Sequence, residues 1–184
     1  MFKKLIFERH GWSVESEKVI AAHNGDEIII KRKKRNFCET STEKFTVPAA
    51  DFLKNLDAAE ISEWEDDYFA PVLDGESWSL KYFTEDGAKK SVTGSNAYPE
   101  KYDTLMDLLF AEYEDAEKTV INEFSDEDDE EKLIKELEDE DIDFRAFLEA
   151  DDKKKAEMLE YAGLEIYSYT RYFDDEDFYL KFED

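Results

Sequence analysis

The chain has 184 residues, with 50 Asp and Glu against 24 Lys and Arg, which gives a formal net charge of −26. This charge excludes direct binding of most of the surface to a bare nucleic acid or an anionic membrane, because both are polyanions. The hydrophobic content of 41% and aromatic content of 15% exclude a generically disordered acidic chain. We therefore expect a folded protein with an acidic surface.

The N-terminal part of the chain differs from the rest in charge. Residues 1–35 contain nine Lys/Arg and five Asp/Glu, net +4, so residues 36–184 carry −30. The single cysteine, Cys38, excludes an intramolecular disulfide and fits a reducing compartment. Lys3 and Lys4 precede no apolar signal-peptide segment, and no run approaches the roughly 18 apolar residues of a spanning helix. We expect a cytoplasmic protein without a membrane partner.

The first third of the chain predicts strands and then a helix. Residues 1–47 are predicted to form strands, because short β-prone runs lie between turn residues at 5–7, 19–22 and 28–30. Asn24-Gly25 accepts the positive φ angles of a type I′ turn and predicts a hairpin. Pro48 suits a first helical turn, and the apolar spacing that follows predicts a helix ending near Trp64.

The middle of the chain predicts a second hairpin and a second helix. Residues 78–83 and 89–93 are β-prone, and Asp86-Gly87 between them is a turn signal. Ser95 or Asn96 is predicted to cap a helix whose apolar residues recur at spacings of three and four, namely Tyr102, Leu105, Met106, Leu109 and Tyr113.

The last third is dominated by acidic residues. Residues 125–131 read either as a solvated linker or as an acidic helix start, and helical apolar spacing follows until Gly163. The aromatic runs 166–173 and 178–182 predict a C-terminal hairpin. The predicted fold is therefore α+β, an antiparallel sheet of β-hairpins packed by helices. The predicted modules are 1–118, and 119–184 as an acidic helical segment with the C-terminal hairpin, packed on the first.

The middle of the chain also contains a group of short motifs. They are Ile61-Ser62-Glu63-Trp64 with Tyr68, Asp74-Gly75-Glu76-Ser77-Trp78-Ser79-Leu80, Asp86-Gly87 and Gly94-Ser95-Asn96-Ala97-Tyr98-Pro99. Together they resemble a family of bacterial and phage proteins without an assigned activity. They cover roughly residues 45–110. The resemblance implies a bacterial or phage origin and a compact α+β module, and it supplies no catalytic residue.

Residue types that carry chemistry are sparse. The two histidines, His10 and His23, are expected in exposed loops, and Cys38 is expected to be a small buried hydrophobic residue. Catalysis by a nucleophile needs a base in contact with it, and no such pattern occurs. The acidic runs lack the glycine and spacing of a calcium loop. We expect a non-enzymatic protein with no cofactor or metal.

The run Lys31-Arg32-Lys33-Lys34-Arg35 is the main basic feature. It directly continues Glu27-Ile28-Ile29-Ile30, so it is interpreted as the polar end of a strand that protects a sheet edge or meets acidic parts of the fold. A nucleic-acid patch is the less favoured interpretation.

The acidic surface suggests one function. Duplex DNA presents about one negative charge per 1.7 Å, so a rigid carboxylate-rich surface can compete with DNA for a basic protein, such as a restriction or CRISPR effector or a basic toxin. The predicted contacts with this basic protein partner are Asp126, Glu127, Asp128, Asp129, Glu130, Glu131, Glu138, Asp139, Glu140, Asp141, Asp174, Asp175, Glu176 and Asp177. The alternative is a small intracellular ligand-binding or housekeeping module with an aromatic pocket lined by Trp64, Tyr68, Trp78 and Tyr98.

Overall fold

A computed structural model describes residues 1–11, 16–36, 39–72, 75–112, 117–122, 129–164, 166, 169 and 172–174. The chain divides into two compact units, Met1–Ser125 and Asp126–Asp184. The fold is α+β, as the sequence predicts. Each unit has its own apolar core.

Unit 1 is built on an eight-stranded sheet. The strands are β1 (Phe2–His10), β2 (Ser16–Asn24), β3 (Glu27–Arg35), β4 (Glu39–Pro48), β5 (Asp67–Phe69), β6 (Ser77–Thr84), β7 (Lys89–Ser95) and β8 (Glu117–Asn122). Their order in the sheet is β5-β7-β6-β1-β2-β3-β4-β8. All neighbouring pairs are antiparallel except β5 with β7.

Two helices of unit 1 pack against each other, and α1 also packs on β3 and β4. They are α1 (Ala49–Ala58), followed by a 3-10 turn at Ile61–Glu63, and α2 (Tyr102–Leu109). Apolar residues of both helices are buried with the alternating apolar residues of the strands, and this forms the core of the unit.

Both predicted hairpins are confirmed, and the first differs in its turn. Asn24 pairs with Glu27, so the loop is Gly25-Asp26, one residue later than Asn24-Gly25. Only Gly25 has positive φ there, at 68°, which fits a type II′ turn better than a type I′ turn. In the second hairpin Gly87 has φ of 85° and Phe83 pairs with Lys89.

The basic run lies in β3, so the interpretation as part of a strand is confirmed. Of its two proposed roles, protection of a sheet edge is wrong, because β3 lies between β2 and β4, whereas Lys34 Nζ does lie 3.7 Å from a carboxylate oxygen of Glu17. The run alternates between the two sheet faces. Arg32 is on the helix-covered face, where it donates to the carbonyl oxygens of Leu109 at 2.7 Å and Ala111 at 2.6 Å. Its cation thus lies at the C-terminal end of α2, where positive charge is favourable.

One prediction about local structure in unit 1 is wrong. Neither Ser95 nor Asn96 caps α2: Asn96 has φ of 54°, and its side-chain oxygen accepts a 2.8 Å hydrogen bond from the backbone of Glu76. The contact to Glu76, distant in sequence, replaces the local cap. Strand β8 pairs with β4 and continues the sheet to Asn122.

Unit 2 contains α3 (Asp129–Glu138), α4 (Phe144–Glu149) and α5 (Asp152–Ala162) around a core that includes Leu133, Phe147 and Leu159. The prediction of the first strand of the C-terminal hairpin is wrong, because the backbone is 3-10 helical at Ile166, Tyr169 and Tyr172. These residues contribute to the apolar core of the unit, which overrides their β-propensity. The second predicted strand, 178–182, lies outside the described residues.

Candidate functional site: the acidic turn of unit 2

The predicted acidic contacts all belong to unit 2. Asp129, Glu130 and Glu131 are the first residues of α3. Glu138, Asp139, Asp141 and Asp174 are exposed, and Glu140 is half-buried. Asp126, Glu127, Asp128, Asp175, Glu176 and Asp177 lie outside the described residues. The most complete part of the predicted surface is therefore the sequence Glu138-Asp139-Glu140-Asp141, which we call the α3-end acids.

The α3-end acids form the turn that terminates α3. The N–H of Asp141 donates to the carbonyl of Glu138 at 3.0 Å, and the N–H of Ile142 donates to that of Leu137 at 2.9 Å. This pair of bonds is a Schellman motif with Asp141 in the left-handed position, at φ 58°. Leu137 and Ile142 both contact the core of unit 2, which fixes the turn.

Helix α5 ends in the same way but with a different residue. Gly163 occupies its left-handed position at φ 72°, and Leu164 donates to Leu159 at 2.8 Å. Glycine adopts this conformation without a Cβ clash, whereas Asp141 does so at an energetic cost. Negative charge is also unfavourable at a helix C-terminus, by about 0.3–1 kcal/mol per charge. The α3-end acids thus depart from two patterns that stabilise a helix C-terminus, namely glycine at the left-handed position and positive charge in the last turn.

Other acids of unit 2 have structural roles. The side chain of Asp143 accepts from the N–H of Ala146 at 2.8 Å and caps α4, and that of Asp151 accepts from Lys154 at 2.8 Å and caps α5. Asp152 accepts from the backbone of Asp174 at 2.9 Å. Carboxylates are favourable at these helix N-termini. These three carboxylates thus have roles in the fold of unit 2.

The four aromatics of the alternative hypothesis lie together in unit 1. The Trp78 ring centroid is 6.1 Å from those of Trp64 and Tyr68 and 6.4 Å from that of Tyr98. Trp64 and Trp78 are buried, and their indole N–H groups donate to the carbonyls of Ala59 at 2.9 Å and Ala97 at 3.0 Å. The rings of Trp64 and Trp78 belong to the core, Tyr68 packs against it, and Tyr98 is exposed.

A carboxylate lies beside the exposed edge of this cluster. The hydroxyls of Tyr98 and Tyr102 each lie 3.4 Å from Glu76 Oε1. Burial, and then the Glu76 carboxylate, raise the pKa of both tyrosines above its ordinary value. The interaction joins the loop before β6 to the segment that leads into α2.

The histidines lie in strands rather than in the predicted loops. His10 is the exposed last residue of β1, and His23 Nδ1 in β2 lies 3.7 Å from a carboxylate oxygen of Glu85. Cys38 lies outside the described residues. Within the described ranges, no three His, Cys, Asp or Glu side chains cluster as metal ligands would. In the same part of the chain, every helix is too short or too polar to cross a membrane.

Comparison with known proteins gives no further information. The chain matches no protein-family model, no curated protein and no solved structure at a significant level. The site is thus characterised by its own geometry. The acidic composition of the site is evident from the sequence. The unfavourable position of Asp141 becomes evident only when the residue at which α3 ends is known.

Proposed function

We propose that the protein is a non-enzymatic interaction protein whose unit 2 binds a basic partner by charge mimicry of nucleic acid. The α3-end acids are the observation that carries this proposal. Local rules of stability are commonly violated at functional sites, and here four consecutive carboxylates occupy a helix end that favours cations and glycine. Binding of a cationic surface would relieve their mutual repulsion.

The distribution of charge between the units supports the same assignment. Residues 126–184 contain 24 Asp/Glu and 8 Lys/Arg, net −16, which leaves −10 for residues 1–125. Unit 2 therefore has the higher density of negative charge. Its helices hold the α3-end acids on a packed core, which is the rigidity that competition with a DNA phosphate backbone requires.

A capture experiment with matched charge variants tests the proposal. The test variant is Glu138→Gln, Asp139→Asn, Glu140→Gln and Asp141→Asn. The control removes four exposed acids of unit 1 through Glu100→Gln, Asp103→Asn, Asp107→Asn and Glu112→Gln. Both variants carry the same net charge, so a general effect of charge would change them equally.

Wild type and control are expected to capture a basic nucleic-acid-binding protein from a bacterial lysate at about 0.1 M salt and to release it at about 0.5 M salt. The test variant should bind at least about tenfold more weakly, because clustered charges contribute a large part of such an interface. Duplex DNA should displace the purified partner. Equal capture by both variants, or capture that DNA does not compete with, would reject the proposal.

A further inference from the structure

A cavity of about 280 Å³ lies in unit 1, between the end of α1 and the β6–β7 hairpin. Its size is close to the lower end of the range typical of small-molecule sites. The cavity is lined by apolar groups of Leu56, Ile61 and Ala88 and by polar groups of Asp57, Glu60, Ser62, Tyr82, Thr84, Lys89 and Lys90. It is thus an apolar depression with charged groups around it.

The negative groups of the cavity lie at the C-terminal end of α1. Asp57 is in the last turn of the helix and Glu60 follows it in the left-handed conformation, at φ 52°. The helix dipole places partial negative charge at this end, and the last turn of α1 contains no basic residue. Both residues line the cavity and are exposed to solvent.

The two lysines that line the cavity differ in their surroundings. The ammonium of Lys90 donates to the carbonyl oxygens of Ser62 at 3.1 Å and Trp64 at 2.5 Å, which holds it against the 3-10 turn. Lys89 is in register with Phe83, on the sheet face opposite to that of Tyr82 and Lys90. Asp57 and Glu60 are the two carboxylates of the lining, and a ligand cation would pair with them.

Tyr82 is a further polar residue of the cavity lining. Its ring packs on Phe2 with centroids 5.6 Å apart, and its hydroxyl has no hydrogen-bond partner among the described residues. Burial, and then the nearby Asp57 carboxylate, raise the pKa of Tyr82, so the hydroxyl is neutral at physiological pH. A neutral hydroxyl can accept a hydrogen bond from a cationic donor.

We propose that this cavity binds a small organic cation, a primary ammonium compound whose charged end lies at Asp57 and Glu60 and whose apolar body contacts Leu56, Ile61 and Ala88. The ammonium donates to the carboxylates and to the Tyr82 hydroxyl. The apolar part removes the exposed surface of the cavity from water. An anion is disfavoured by both carboxylates and by the helix end.

The test uses n-hexylammonium as the probe and the full chain, with backbone amide chemical shifts and calorimetry as readouts. We expect saturable shifts at Tyr82, Thr84 and Ala88, and binding of uncharged n-hexanol at least about tenfold weaker. Asp57→Asn should weaken hexylammonium binding about tenfold, because it removes a charged hydrogen-bond acceptor. Asp51→Asn is the control, since Asp51 is an exposed acid in the first turn of the same helix.

A steric variant tests the apolar half of the site. Ala88 is exposed at the hairpin, so Ala88→Leu should fold normally and exclude the hexyl chain. Loss of binding in Asp57→Asn and Ala88→Leu but not in Asp51→Asn would support the site. No saturation up to about 10 mM, or equal affinity of the three variants and wild type, would overturn it.

Discussion

At the scale of single residues, Gly94 is required by the packing of Trp78. A Cβ at position 94 would lie 2.1 Å from Trp78 Cε2, and Trp78 is held from its other side by Phe7, with ring centroids 6.4 Å apart. Neither group can move without disturbing the core. We expect Gly94→Ala to lower the free energy of unfolding by about 1–3 kcal/mol, as overpacking does.

Denaturant unfolding followed by tryptophan fluorescence measures the effect of Gly94→Ala. Ser91→Ala, at an exposed position of the same strand, is the control and should stay within about 0.5 kcal/mol of wild type. An unfolding midpoint for Gly94→Ala equal to that of Ser91→Ala would show that Trp78 is not tightly packed against β7.

We expect Tyr102 to make the stability of unit 1 depend on pH in the alkaline range. Burial and the Glu76 carboxylate raise the pKa of Tyr102 in the folded state above its value in the unfolded chain. Its contribution is therefore complete below about pH 10, the ordinary tyrosine value, and is lost as the pH rises toward the folded pKa. In Tyr102→Phe the free energy of unfolding should fall less steeply above about pH 10.

Tyr68→Phe is the matched control for Tyr102→Phe, because the Tyr68 hydroxyl is bonded to the backbone N–H of Glu65 at 2.8 Å. Denaturant unfolding at several pH values would compare the two variants. The same slope in Tyr102→Phe and wild type would exclude Tyr102 as a source of the alkaline dependence.

At the scale of elements, the end of α3 is predicted to favour binding over stability. Asp141→Gly removes both the left-handed strain and a negative charge at the helix end, so unit 2 should gain roughly 0.5–1 kcal/mol. Asp141→Asn removes only the charge and separates the two causes. Denaturant unfolding followed by far-ultraviolet circular dichroism measures the free energy of unfolding of both variants. A lower value for Asp141→Gly than for wild type would show that the left-handed conformation of Asp141 is not strained.

Elements specified by neighbouring residues were predictable, and those specified by distant contacts were not. The two hairpins, the three helical segments around Phe52, Leu105 and Leu159, and the end of α5 at Gly163 follow from local turn and spacing signals. Strand β5 was missed because three residues paired in parallel with β7 leave no periodic pattern.

Long-range contacts also explain the remaining differences between prediction and structure. Strand β8 was missed because Glu117–Asn122 lies in an acidic region and pairs with β4, far away in sequence. The composition of the acidic site was evident from the sequence, but its position at a helix end was not. The cavity was not predictable, because it joins the end of α1 to residues 82–90.

At the scale of the whole molecule, the uneven charge predicts different salt responses of the two units. Unit 2 has about one net negative charge per four residues, whereas unit 1 has about one per twelve. Salt screens repulsion between exposed charges over about 10 Å at 0.1 M. Raising the salt concentration from about 0.02 to 0.2 M should therefore stabilise unit 2 more than unit 1.

The chain allows the two units to be observed separately. All three tryptophans, Trp12, Trp64 and Trp78, belong to unit 1, so tryptophan fluorescence reports only that unit. Amide hydrogen exchange at Leu133 and Leu159 reports the core of unit 2. We expect salt to raise the free energy of opening at these two amides more than it raises the free energy of unfolding of unit 1 measured by fluorescence. Exchange that salt leaves unchanged or accelerates would mean that carboxylate repulsion does not limit the stability of unit 2, and it would remove the electrostatic basis for relief by a basic partner.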